Sequence, residues 1–125
     1  MVKCLVGYDI VPGVTPEEYD AWLWDIHTPD LMANPYIDKI VYNTVLRPIV
    51  TASGDTMKLP ESLKLYRVAE MHFQDEEAYD KYRAWFIENP IPAERGPAGR
   101  SDFKFYLLCT VSEGSRDEAG NLVRR

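Results

Sequence analysis

Phe103-Lys104-Phe105-Tyr106-Leu107-Leu108-Cys109 is apolar at every position from Phe105 onward. A strand with one face on a core and the other in water alternates apolar with polar residues, so an unbroken run calls for cover on both faces. Working outward from this strand, the chain offers two helices to cover one face. Nothing else in the sequence is left to cover the other, and a second copy of the sheet is the simplest supply.

Val2 to Ile10 reads as the first strand, rich in β-branched and aromatic residues and closed by the turn Val11-Pro12-Gly13. A helix start follows: Thr15 as N-cap, Pro16 in the first helical position and Glu18 three residues after the cap. Tyr19, Trp22, Leu23 and Ile26 then recur at helical spacing. Thr28-Pro29 is expected to interrupt this helix, with a short helical turn over Pro29 to Ala33 after it. Ile37 to Val50 reads as a second strand, fraying near Arg47-Pro48, and Thr51 to Leu63 as a loop or wide hairpin connection. Lys64 to Phe73 is the third strand. Asp75 caps a second helix whose apolar stripe is Tyr79, Tyr82 and Phe86, with Trp85 beside it, and Asn89-Pro90 ends it. Pro90, Pro92, Gly96, Pro97 and Gly99 make the next stretch irregular, and Phe103 to Val111 is the fourth strand.

The order is β-α-β-β-α-β, an α+β, ferredoxin-like arrangement with a four-stranded antiparallel sheet and both helices on one face. Residues 1–112 form one domain. The tail from 113 to 125, charged and poor in apolar residues, is expected to be mobile or to serve as an arm against a partner subunit. The expected assembly is a face-to-face homodimer.

Composition narrows the function. The 125 residues carry a net charge of −6, with 46% hydrophobic and 12% aromatic residues. That apolar share fits a globular domain. The acidic balance and the lack of a basic stripe exclude a nucleic-acid partner. No apolar run approaches the roughly 20 residues of a membrane-spanning helix, the N-terminus lacks a signal-peptide pattern, and two cysteines are too few for a disulfide scaffold, so a cytoplasmic protein is expected. There is no Gly-rich phosphate loop, G-x-S-x-G elbow, C-x-x-C or H-E-x-x-H. Two histidines far apart argue against a histidine-based metal site; a carboxylate-rich one stays open.

Pro12-Gly13-Val14-Thr15-Pro16-Glu17-Glu18-Tyr19, followed by Trp22, His27-Thr28-Pro29 and Asn34-Pro35-Tyr36-Ile37, resembles the EthD-like dimeric α+β barrel proteins, and within them the REDY-like HapK family. The resemblance covers roughly the first 110 residues and is densest from Trp22 to Ile37. It implies a homodimer with a pocket between each subunit's sheet and helices, and an aromatic or polyketide-like ligand. Relatives act as cofactor-free cyclases, lyases, isomerases or oxygenases, and others bind haem. The Thr51 to Leu63 insertion and the charged tail depart from shorter relatives, so substrate class does not transfer with the resemblance.

His27 is the first catalytic candidate. It lies four residues after Leu23 on the helix stripe, at the expected helix C-terminus, where dipole and burial pull its pKa in opposite directions and leave it near working pH. The alternative is a structural histidine holding the turn before Pro29. In an alternating third strand, His72 shares a face with Tyr66, Val68 and Glu70; Glu70 would orient His72 or act as base, and a solvent-exposed strand-end histidine is the alternative. Tyr8, Tyr66 and Tyr106, on expected strands, are candidates to donate a hydrogen bond to a developing oxyanion. Trp22, expected in the core, and Trp24, expected at an interface or pocket rim, offer flat area for stacking on an aromatic ligand. Arg95 and Arg100, in the loop before the last strand, would clamp a carboxylate or simply offset surface acids. Asp25 meets His27 only if the helix unwinds. Cys4 and Cys109 read as buried thiols on neighbouring strands. The function expected is cofactor-independent proton transfer on a small aromatic metabolite, against a non-catalytic accessory protein of a metabolic pathway or a haem-binding protein.

Overall fold

The computed structural model describes residues 1–56 and 58–125. Strand β1 (Val2–Ile10) buries every second residue, Val2, Cys4, Val6 and Tyr8, in the main core. Two-residue periodicity sends this set to one face, and the same face receives Tyr19, Trp22, Leu23 and Tyr82 from the helices. Helix α1 (Pro16–Trp22) starts as its capping residues dictate: the Glu18 N–H donates to Thr15 Oγ1 at 3.1 Å, and Pro16 occupies the first turn.

After α1 the chain passes through one wide π-helical turn (Leu23–His27) directly into helix α2 (Thr28–Met32). The expected interruption at Thr28-Pro29 does not occur. Pro29 has no N–H to give and its ring crowds the preceding turn; the extra residue in the wide turn, where the Thr28 N–H reaches back to the Leu23 carbonyl, absorbs both problems without a break.

Strand β2 (Lys39–Thr44) is shorter than the apolar pattern to Val50 suggested, because the chain leaves the sheet at Val45. A long connection follows, with Val50 bridged to Thr56 and a 3₁₀ turn at Glu61–Leu63. Strand β3 (Arg67–Phe73), helix α3 (Glu76–Glu88) and strand β4 (Ser101–Thr110) complete the domain. Asp75 Oδ1 accepts from the Ala78 N–H at 2.8 Å and opens α3. On α3, Tyr79 and Tyr82 pack edge-on against Phe73, and Phe86 edge-on against Tyr82.

The four strands form one antiparallel sheet in the order β2-β3-β1-β4, an α+β architecture consistent with the ferredoxin-like reading. The tail folds into a hairpin of its own, strands β5 (Gly114–Arg116) and β6 (Leu122–Arg124), closed by reciprocal 2.8 Å backbone bonds between Glu113 and Arg125. Among the described residues no helix is long and apolar enough to cross a membrane.

The sheet face turned away from the helices carries Leu5, Val41, Val68, Phe105 and Leu107 by strand register. Phe105 lies across Gly7, the one neighbour on β1 without a side chain, and a Cβ there would run into its ring. Tyr106, Leu107 and Leu108 alternate between the two faces, yet all three are exposed, by 59%, 53% and 40%.

Candidate functional site

The continuous path from α1 into α2 puts Tyr19, Leu23 and His27 in line over the sheet. Leu23 is sealed in the core, and His27 stacks on Trp22 with ring centroids 4.6 Å apart and planes at 16°. His27 Nδ1 is enclosed and has no hydrogen-bond partner. Burial lowers the imidazole pKa to about 4, with Asp30 pulling it up and Arg100 pushing it down. The expected balance near working pH is therefore corrected. Because the helical path does not end at residue 27, the negative dipole end lies further along, and desolvation decides in favour of the neutral ring.

His27 lines a cavity of about 280 Å³ between sheet and helices. Tyr8, Tyr19, Tyr42, Tyr79, Tyr82 and Tyr106 share its wall with apolar side chains such as Val6, Leu31 and Ile40. Several of these hydroxyls are tied down. Tyr19 Oη and Ser101 Oγ are 2.6 Å apart, and Tyr42 Oη and Thr28 Oγ1 are 2.7 Å apart. Tyr8 differs: its Oη is enclosed without a partner, and its ring packs between Tyr19 at 5.6 Å and Phe103 at 6.2 Å. Burial pushes the Tyr8 phenol far above its ordinary value, with Tyr19 adding to the rise and Arg67 opposing it. It remains a hydrogen-bond donor throughout the physiological range.

Of the residues singled out from the sequence, His27, Tyr8 and Tyr106 reach this cavity. Glu70 and His72 lie on the opposite face of the sheet. Glu70 Oε1 accepts from Lys3 Nζ at 2.9 Å and lies 3.1 Å from His72 Nε2, and Glu70 Oε2 accepts from Asn43 Nδ2 at 2.7 Å. Lys3 holds the Glu70 carboxyl below its usual range, against the opposing effect of burial. His72 is not a strand-end histidine in solvent: it is 9% exposed.

Tyr66 does not join that cluster. It sits in a bend one residue before β3, and its hydroxyl lies 3.5 Å from Asp20 on α1, so strand alternation does not govern it. Trp22 is core, with Nε1 donating to the Arg95 carbonyl at 2.9 Å; it backs His27 and does not itself line the cavity. Trp24 is 57% exposed and meets Tyr42 edge-on. The carboxylate clamp is corrected as well. Arg95 forks onto Asp30 at 2.9 and 3.0 Å, while Arg100 lies over the Trp22 ring and donates to the Glu94 and Gly96 carbonyls. Both arginines fasten the Pro/Gly-rich loop to the helical segment. Asp25 is exposed and makes no bond to His27 even though the helix widens there.

Arg67 is the residue that sequence reasoning passed over. Its side chain is buried, donates to Asp20 Oδ1 at 2.8 Å and Thr44 Oγ1 at 3.0 Å, and lies over the Tyr66 ring at 4.6 Å. It pairs across the strands with Tyr8. The signal was present: an arginine on the same strand face as Ala69, Met71 and Phe73 must find an acid or leave an unpaired buried charge.

The cavity holds about twice the ~150 Å³ that accommodates a benzene ring. That suits a bicyclic aromatic. Among the described residues no three histidine, cysteine or acidic side chains converge as a metal site. Cys4 lines the cavity with its thiol pushed up by burial, and Cys109 lies on the neighbouring strand β4. No known protein family matches the chain, and no curated protein matches it.

Proposed function

We propose that two copies pair through their open sheet faces and that each binds a small aromatic metabolite in its sheet–helix cavity, on which His27 transfers a proton without a cofactor. One observation carries this reading: the His27 imidazole and the Tyr8 hydroxyl, each with a buried polar atom that has no partner, are brought to one tyrosine-lined chamber of bicyclic size. A neutral imidazole has the lone pair a general base needs. It would take a proton from carbon next to a ring carbonyl. The electron pair would move onto the oxygen, where the Tyr8 O–H donates to the developing charge, and return of the proton at another position completes an isomerase-type step. Lyase and cyclase steps begin with the same proton removal. Tyr8 takes this role rather than Tyr66, which lies outside the cavity. The resemblance to REDY-like HapK and EthD-like proteins supports the same direction.

Pairing of the open faces is supported by Leu107, which stands exposed on that face among the half-buried Leu5, Val41, Val68 and Phe105. Of the charges on that face, Lys3 and Glu70 are already partnered with each other and with His72 and Asn43, which limits their desolvation cost.

The second reading is a non-catalytic binding protein of a metabolic pathway. It is favoured by the low basicity of His27, since a base titrating well below working pH abstracts protons weakly. One experiment separates the two. 2-Tetralone, a bicyclic ketone with exchangeable protons beside its carbonyl, is followed by NMR in D2O with the protein. Catalysis predicts deuterium uptake faster than in buffer, lost by about a hundredfold in His27→Ala with binding retained. Saturable binding with no acceleration would assign the protein to the accessory class.

A further inference from the structure

We infer that the cavity selects uncharged ligands, taking phenols, ketones, quinones and amides of bicyclic size and rejecting carboxylates and ammonium compounds of the same shape. The inference rests on the reading of the cavity as an aromatic-ligand site and adds to it the chemical class admitted.

The geometry supplies the first argument. Among the described residues no lysine, arginine, aspartate or glutamate lines the cavity. Three arginines that lie near it are engaged elsewhere. Arg67 is held by Asp20, Arg95 by Asp30, and Arg100 by two backbone carbonyls and the Trp22 ring. An anionic ligand would shed its water without meeting a countercharge, and a cationic one would meet no carboxylate.

The titratable groups of the wall point the same way. Burial pushes the Tyr8, Tyr19, Tyr42 and Tyr82 phenols and the Cys4 thiol upward, and the His27 imidazole downward. Acids and base alike are driven to their neutral forms. An environment that disfavours charge on its own side chains disfavours it on a guest by the same desolvation. What the wall does offer is phenolic O–H donors and one neutral imidazole, which match carbonyl and hydroxyl oxygens.

The test compares isosteric probes on the full-length protein at pH 7 by isothermal titration calorimetry. 2-Naphthamide and 2-naphthoate have nearly the same shape and differ in charge, and 2-naphthol serves as the reference aromatic. The expected result is that 2-naphthol and 2-naphthamide bind and that 2-naphthoate binds roughly tenfold or more weakly than the amide. Equal or tighter binding of the naphthoate overturns the inference, and so does binding of 2-naphthol with neither member of the pair. Failure of 2-naphthol itself overturns the aromatic-ligand reading, and the charge selection with it.

Discussion

His27 is stacked on Trp22 with one ring nitrogen enclosed, and the neutral imidazole is the form this packing tolerates. The consequence is measurable. An unfolded histidine titrates near 6.5, whereas the folded value is about 4. Between those values the unfolded chain binds a proton that the folded chain does not, so stability falls as the pH drops from 6.5 toward 4, and His27 adds nothing further below that. Urea unfolding at a series of pH values should show this decline in the wild type and a flatter profile in His27→Gln. Parallel profiles would mean that the ring is not enclosed as described. The placement of His27 was legible from its spacing to Tyr19 and Leu23. Its protonation was not, because that depends on how deeply the sheet and the Arg95 loop enclose it, and neither is local in sequence. Arg67 shows the converse: its position on an apolar strand face was legible, but the partner that rationalises it, Asp20, lies 47 residues away.

Elements formed where local signals agreed. The Thr15 and Asp75 caps, the stripe of Tyr79, Tyr82 and Phe86, and the alternation of β1 all appear as residue chemistry dictates. The departures have local causes as well. Pro29 was read as a stop because a regular α-helix cannot absorb it, but a single wide turn can, and periodicity alone does not reveal that turn. Val45, Leu46, Ile49 and Val50 have strand composition, yet the ladder with β3 stops at Thr44 and Arg67; past the Val45 N–H, which still donates to the Tyr66 carbonyl at 3.0 Å, the chain leaves the sheet. On the open face, the contact between β1 and β4 depends on the absence of a side chain at Gly7. Gly7→Ala should therefore cost about 1 kcal/mol or more of unfolding free energy as the Phe105 ring is displaced, and most of that cost should vanish in a Phe105→Ala background. Additive losses in the double variant, measured by urea denaturation, would show that the ring does not rest on Gly7.

For the whole molecule, a four-stranded sheet covered by helices on one side leaves Leu5, Val41, Val68, Phe105 and Leu107 on the other, an apolar surface rarely left bare in water. The unbroken run from Phe105 to Cys109 signalled this from sequence, and Leu107, 53% exposed on that face, is its structural counterpart. The tail was less legible: with few apolar residues it nonetheless forms the β5–β6 hairpin, because Asp117 and Gly120 supply a turn that composition understates. A hairpin of two strands is marginal alone, so its order depends on what lies against it. Sedimentation velocity at micromolar concentration, on the wild type and on Leu107→Glu, tests the proposed pairing of sheet faces most directly. The wild type should sediment at twice the 14.4 kDa chain mass, and Leu107→Glu as a folded monomer. A wild-type chain that sediments at 14.4 kDa, with its apolar sheet face open to water, would contradict the proposed assembly.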